Sequence, residues 1–248
     1  MPSTVLITGS NRGIGLELLR LYLSQAGNTV ISAVRDPTHS STQAIQALPT
    51  AEKTRHIVVG IDSASPSTAD AAIKELKSRY NITSIDTVIA NAGIGESWVP
   101  ARETSIEAAD LHFAVNAVGP LALFRAVRPL LLASSSTPRF VVISTVLGSI
   151  GDQGNRPIPD TAYGMSKAAV NFLVGKIHHE EENLVTFPIH PGWVQTPLGN
   201  SIATAVGMKE AAITQEVSAA GVYEQIEKST KEASSGKFID YQGNSIPW

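Results

Sequence analysis

Tyr163 and Lys167, in the stretch Tyr163-Gly-Met-Ser-Lys167, open an apolar run from Ala168 to Val174. Read as a helix, this spacing puts both side chains on one face. A free tyrosine is a weak acid, with a pKa of about 10. A fixed ammonium beside it favours the phenolate and lowers that value. A hydroxyl tuned in this way hands a proton to a carbonyl oxygen, or takes one from an alcohol, near neutral pH. The same spacing also occurs on solvated helix faces, so the reading depends on the elements that must position the pair.

The chain has 248 residues, 43% of them hydrophobic, and a formal net charge of −3. That is enough to bury a substantial core in one α/β domain spanning residues 1–248. The slightly acidic balance gives no reason to expect a nucleic-acid partner. Without cysteine there are neither disulfides nor thiolate metal sites, which fits a reducing compartment. His178, His179 and His190 have no ligand-set spacing, the first two read as solvated helix residues, and no metal is expected. The N-terminus, Met1-Pro2-Ser3-Thr4, lacks the basic region and apolar stretch of a signal peptide. No apolar run approaches the ~20 residues of a membrane span, and Ile246-Pro247-Trp248 is not a common targeting signal. A cytoplasmic protein without a membrane partner is expected.

Thr4 to Thr8 is short, apolar and β-branched, the pattern of a buried strand. Gly9-Ser-Asn11-Arg12-Gly13-Ile14-Gly15 follows, and Leu16 to Leu23 then has helical spacing. Strand, glycine-rich turn and helix open a dinucleotide-binding unit. Glycines let the backbone approach a pyrophosphate, and the helix N-terminus offers free N–H groups. Thr29 to Val34 is a second strand, where the adenine ribose should lie. The expected acid is missing there: Val34 and Arg35 stand instead, with Asp36 one step on and Arg12 as a second cation. His56 to Ile61 is a third strand ending in Asp62-Ser63. Asp62 either accepts from the adenine amino group or caps the next helix, Thr68 to Tyr80.

Ile85 to Ala90 is a fourth strand running into Asn91-Ala92-Gly93, polar and small where a strand meets the cofactor crevice. Glu103 to Leu132 is helical in pattern, interrupted by Asn116-Ala-Val-Gly-Pro120. A polar Asn116 amid apolar neighbours requires a bonded partner, and a kink at Gly119-Pro120 would free backbone groups nearby. Phe140 to Ile143 delivers Ser144 at a strand end, where ligands sit in open parallel sheets. Residues 148–161 are loop by composition. Val185 to Ile189 is a sixth strand, leading to His190-Pro191-Gly192-Trp193-Val194-Gln195-Thr196-Pro197. From there to Thr214 the weak periodicity predicts a mobile lid, followed by a helix over Glu216–Glu232 and a last strand over Lys237–Tyr241. Alternating strands and helices predict an α/β fold: a single doubly wound Rossmann-fold domain with a parallel sheet of about seven strands.

These motifs, in this order, resemble the short-chain dehydrogenase/reductase family across essentially the whole chain. The tail from Gly236 to Trp248 resembles a branch holding carbonyl reductases and fungal polyketide ketoreductases. The resemblance implies roles. Tyr163 would be the acid/base, and Lys167 would lower its pKa and hold the nicotinamide ribose. Ser144 would bond the substrate oxygen, and Asn116 would fix a water relaying protons to Lys167. Asn91, Ala92 and Gly93 would line the cofactor with Pro191 and Gly192, while Val194 and Thr196 would meet the nicotinamide amide. One departure stands out: Ser144 and Tyr163 lie 19 positions apart (163 − 144), longer than the family's commonest spacing. The extra residues fall in the Asp152–Asp160 loop.

The implied activity is NADP(H)-dependent reduction of a ketone or aldehyde, aromatic or polyketide-type, or oxidation of the matching alcohol. Two other classes share the scaffold: non-redox isomerisation, dehydration or cyclisation, and an NADP(H)-sensing regulator. Retention of both Tyr163 and Lys167 counts against the regulator. Apolar surface on the Glu103–Leu132 segment and the Tyr163 helix, with the family's two-fold helix pairing, predicts a homodimer or homotetramer.

Overall fold

The computed structural model describes residues 2–155 and 158–248. The reading of Met1 as the lead into the first strand, and of Arg156 and Pro157 as loop, falls outside the described residues. Strands form where apolar residues run unbroken. In β1 (Thr4–Thr8), Val5 and Ile7 enter one core and Leu6 the other, all fully buried. A strand covered on both faces has to be apolar throughout. With β2 (Thr29–Val34), β3 (Arg55–Gly60), β4 (Thr87–Ala90), β5 (Arg139–Ile143), β6 (Val185–His190) and β7 (Ile239–Asp240), it forms one parallel sheet. The strand order is β3-β2-β1-β4-β5-β6-β7. The order reverses between β1 and β4, so a crevice opens beyond their C-terminal ends.

Helices α1 (Gly13–Leu23), α2 (Ser40–Gln46) and α8 (Gln215–Glu227) bury Leu18, Leu19, Ile45, Val222 and Ile226 on one face of the sheet. Helices α3 (Ser67–Tyr80), α5 (Gly119–Leu132) and α6 (Thr161–Glu180) bury Leu76, Val127, Leu131, Val170 and Val174 on the other. Helix α4 (Ile106–Phe113) joins α5 through one π turn, Ala114–Val118. By length and composition Ile106–Leu132 would pass for a membrane span, yet 56% of its most apolar window is buried inside the protein. Leu123, Val127, Leu130 and Leu131 of this segment belong to the core, while Leu111, Val118 and Leu121 stay exposed.

The structure corrects several sequence expectations. Residues 197–205, expected in a mobile lid, form helix α7 (Pro197–Ala205), with Thr196 capping it through a bond from the Gly199 N–H. The segment is tied back by the Val194↔Ile213 bridge and by Asn200 accepting from Ala211. Helix α8 stops at Glu227 rather than running to Glu232. Lys231 leaves the helix and donates to the carbonyls of His178, Glu181 and Leu184. His178 is not a merely solvated residue, because its ring bonds Ser235 at 2.8 Å. Strand β4 starts at Thr87, after Asp86 takes the Thr4 N–H and the Ser134 hydroxyl on its carboxylate.

Candidate active site

The strand ends at the crevice bring the glycine turn, Asn91-Ala-Gly93, Ser144 and Thr196 to one side of the sheet. Gly9 and Gly13 hold φ of +64° and +59°, conformations that suit glycine. At Gly15 a Cβ would stand 2.4 Å from both the Gly9 carbonyl oxygen and the Asn91 amide nitrogen. That amide donates to the Thr8 and Gly9 carbonyls, and Thr8 Oγ1 accepts from the Asn91 and Ala92 N–H groups. Asn91 thus clamps the turn through its side chain. Asn11 bonds Ser41 at the start of α2. A Cβ on Gly13 would meet Thr196 Cγ2 at 3.4 Å, so the β6 end closes the other side of the turn.

This cradle fits a dinucleotide. Ser10, given no role of its own in the sequence reading, has a fully buried hydroxyl with no hydrogen-bond partner among the described residues. A buried orphan of this kind in a glycine turn suits a phosphate oxygen. Arg12 and Arg35 are exposed. Neither makes an ion pair among the described residues. Asp36 is occupied: Thr38 donates to its carboxylate from N–H and hydroxyl, at 2.8 and 2.7 Å, holding it below the usual carboxylate range. Asp62 accepts from the Ala64 N–H and closes a turn, while Pro66 occupies the position before α3. Ser63 packs against Gly119, where a Cβ would stand 2.8 Å away. Ile14 sits half-buried on the first turn of α1, and Gly192, at φ +85°, turns the chain after Pro191.

Helix α6 carries Tyr163 and Lys167 into the interior, 6% and 5% exposed. Lys167 Nζ donates to the Ile143 carbonyl at 2.8 Å and lies 5.8 Å from the Tyr163 ring centre. Asn116, in the π turn, donates to the Ile94 carbonyl and to Ser166, and accepts from the Ile94 N–H, each near 3 Å. Its oxygen and Lys167 Nζ both border Gly93, at 3.1 and 3.5 Å from a Cβ placed there. The expected kink at Gly119-Pro120 takes the form of this π turn. Pro120 lacks the N–H that an α-helix would offer the Asn116 carbonyl, and a widened turn absorbs the loss. Ser144 donates to Asn171 Oδ1 at 2.5 Å, a partner that the sequence did not signal.

The electrostatics differ from the sequence expectation. Tyr163 is pushed up rather than down, first by burial and then by the Asp160 carboxylate. Lys167 is pushed down to about 8 by burial. With the ammonium bonded to Ile143, desolvation outweighs its attraction for a phenolate. Asp160 itself is pushed up to about 6 by burial, and its Oδ2 has no partner among the described residues. An acid whose folded pKa is raised destabilises the fold once ionised. The stability is whole below the unfolded pKa near 4 and declines as pH rises through about 6. Asp160→Asn should therefore melt higher than wild type at pH 7.5 and equal to it at pH 4. A melting-temperature difference independent of pH would refute this assignment.

The short chain dehydrogenase pattern matches residues 3–207. The chain belongs to the short-chain dehydrogenase family. Among curated relatives of this family, norsolorinic acid ketoreductase nor1 of Dothistroma septosporum is 39% identical, over 99% of this chain and 92% of its own. The short chain dehydrogenase gsfK of Penicillium aethiopicum is 38% identical over the full length of both. Among solved short-chain dehydrogenase folds, NADPH-bound carbonyl reductase from chicken fatty liver superposes with a TM-score of 0.86. It is 26% identical, covering 100% of this chain and 99% of that one. A carbonyl reductase from Pseudomonas aeruginosa in complex with NADP gives 0.75, at 29% identity and full coverage of both. Among the described residues no group of three His, Asp or Glu side chains could hold a metal ion.

Proposed function

We propose that this protein reduces a ketone or aldehyde with NADPH, or runs the matching alcohol oxidation, on an aromatic or polyketide-type carbonyl. The observation that carries the reading is the burial of Tyr163 and Lys167 together on α6, beside the end of β5 and next to Gly93. The names of the curated relatives support the polyketide class, and the NADPH- and NADP-bound neighbours support the cofactor. No observation favours the isomerase or regulator readings.

When bound, NADPH supplies the hydride. The turn Gly9–Gly15, with Asn11, Arg12 and Ile14, would hold its phosphates, together with Arg35 at the ribose. Asp62, Ser63, Asn91, Ala92 and Gly93 would line one wall, and Pro191, Gly192, Val194 and Thr196 the other. Tyr163 Oη gives its proton to the carbonyl oxygen as negative charge builds there. Burial keeps the Tyr163 hydroxyl protonated at neutral pH, so the proton is there to give. Ser144, turning from Asn171, donates a hydrogen bond to the same oxygen. Lys167 stands behind Tyr163 as the next proton donor, and Asn116 frames Gly93 beside it. The direct test is loss of NADPH absorbance with an aromatic ketone or quinone; no turnover across a panel of both would sink the reading.

We also infer a homo-oligomer. Leu111, Val118 and Leu121 on α4–α5 and Met165 and Phe172 on α6 are exposed, Phe172 by 73%. Apolar side chains on neighbouring helices suit a two-fold helix pairing. Light scattering should show a dimer or tetramer at micromolar concentration, and Phe172→Glu should shift it toward monomer. A wild-type monomer would refute the inference.

A further inference from the structure

The segment between β4 and α4 has little regular structure, yet it is anchored at several points. Asn116 holds Ile94 by both its N–H and its carbonyl. The fully buried His112 accepts from the Glu96 N–H at 3.2 Å, while its Nδ1 faces the Ala108 carbonyl at 2.7 Å. Thr161 reaches the Val99 carbonyl at 3.4 Å. Ser97 adopts φ +62°, a left-handed conformation with no glycine to ease it. Strained backbone persists where the surroundings impose it, and it clusters at functional sites. Here its product is the placement of Trp98.

The Trp98 ring meets the Tyr163 ring edge to face, with centres 5.5 Å apart and planes at 77°. Its Nε1–H donates to Ser201 Oγ on α7 at 3.0 Å. Gly95 fits beneath it only without a side chain: a Cβ would stand 3.0 Å from Leu198 and 3.1 Å from Trp98. The indole therefore spans from the proton-donating tyrosine to the helix that follows β6, fixed at its polar end and packed along its apolar body. It thereby borders the ring whose hydroxyl serves the carbonyl.

Resting on the reductase reading, we propose that Trp98 is the specificity-determining residue of the substrate cleft, a flat wall selecting fused-ring aromatic carbonyls over small aliphatic ones, with Ser201 fixing its tilt. Large rigid rings gain contact area and favourable ring–ring geometry against an indole. A small aliphatic ketone gains neither. A ring fixed in advance also loses little freedom when substrate arrives.

The test compares kcat/KM for a bicyclic aryl ketone and for a small aliphatic ketone in wild type, Trp98→Ala, Trp98→Phe and Ser201→Ala. The ratio of the two should fall at least ~10-fold in Trp98→Ala, carried mainly by KM for the aryl ketone. Trp98→Phe should restore part of the ratio, and Ser201→Ala should lower it by a smaller factor. A second arm titrates a fused-ring phenol onto the protein with NADP⁺ by calorimetry, which gives the affinity of every variant, and follows tryptophan fluorescence in parallel. Quenching in wild type that is lost in Trp98→Phe, with binding at least ~10-fold weaker in Trp98→Ala, supports the wall. An unchanged ratio, or equally tight phenol binding in Trp98→Ala, overturns it. Should wild type turn over neither ketone, the reductase reading fails while the titration still decides on Trp98.

Discussion

Tyr163→Phe is expected to lower kcat by at least ~10³-fold, a loss of about 4 kcal/mol of transition-state stabilisation. The substitution removes one hydroxyl and keeps the ring, so the contacts with Trp98 and His112 survive. The proton donor is then absent where charge builds on the carbonyl oxygen. NADPH affinity, measured by fluorescence titration, should stay within about threefold of wild type, because the glycine turn and its Asn91 clamp are untouched. Retention of more than a tenth of wild-type turnover would show that another group delivers the proton.

NADPH should be preferred to NADH by at least ~10-fold in kcat/KM, about 1.4 kcal/mol. The preference arises at the end of β2. Strand pairing stops at Val34, and Arg35 projects into solvent with Arg12 exposed on the glycine turn. A guanidinium on a phosphate forms paired, charge-assisted hydrogen bonds. The carboxylate that would oppose a 2′-phosphate is Asp36, and it is engaged by Thr38 at 2.7 and 2.8 Å. Arg35→Ala should raise KM for NADPH and narrow the preference while leaving NADH kinetics near wild type. An enzyme favouring NADH would return Asp36 to the ribose and remove the role given to Arg35.

The architecture was legible because its signals are local. Unbroken apolar runs such as Val5-Leu6-Ile7 demand a sheet covered on both faces, and the glycine spacing demands a tight turn into α1. The Tyr163/Lys167 pair was legible from its helical period. What the sequence concealed depends on contacts across the fold. Nothing near Ser144 announces Asn171, which lies 27 positions on and accepts a hydrogen bond from its hydroxyl. Helix α7 is short, opens on Pro197 and carries Gly199 and Asn200, the composition of a loop, and it is held by Thr196, Val194 and Asn200. The sign of the Tyr163 shift was misread because burial was not visible: the sequence places Lys167 on the same face but does not say that its ammonium bonds Ile143. Asp160 and Ser10 were overlooked because single polar residues carry no period.

The π turn at Ala114–Val118 makes chain length, as well as residue identity, a determinant of the site. A π turn accommodates one residue more than the α-helix on either side of it. Each residue of an α-helix advances about 100° around the axis, from 3.6 residues per turn. A relative one residue shorter across this turn would keep an unbroken α register, and its asparagine would point about a quarter-turn away from the Ile94 main chain. The aim of the Asn116 amide is in that sense set by the number of residues in the turn. Deleting one residue from this turn is therefore expected to break the two Asn116–Ile94 bonds even with every named side chain retained.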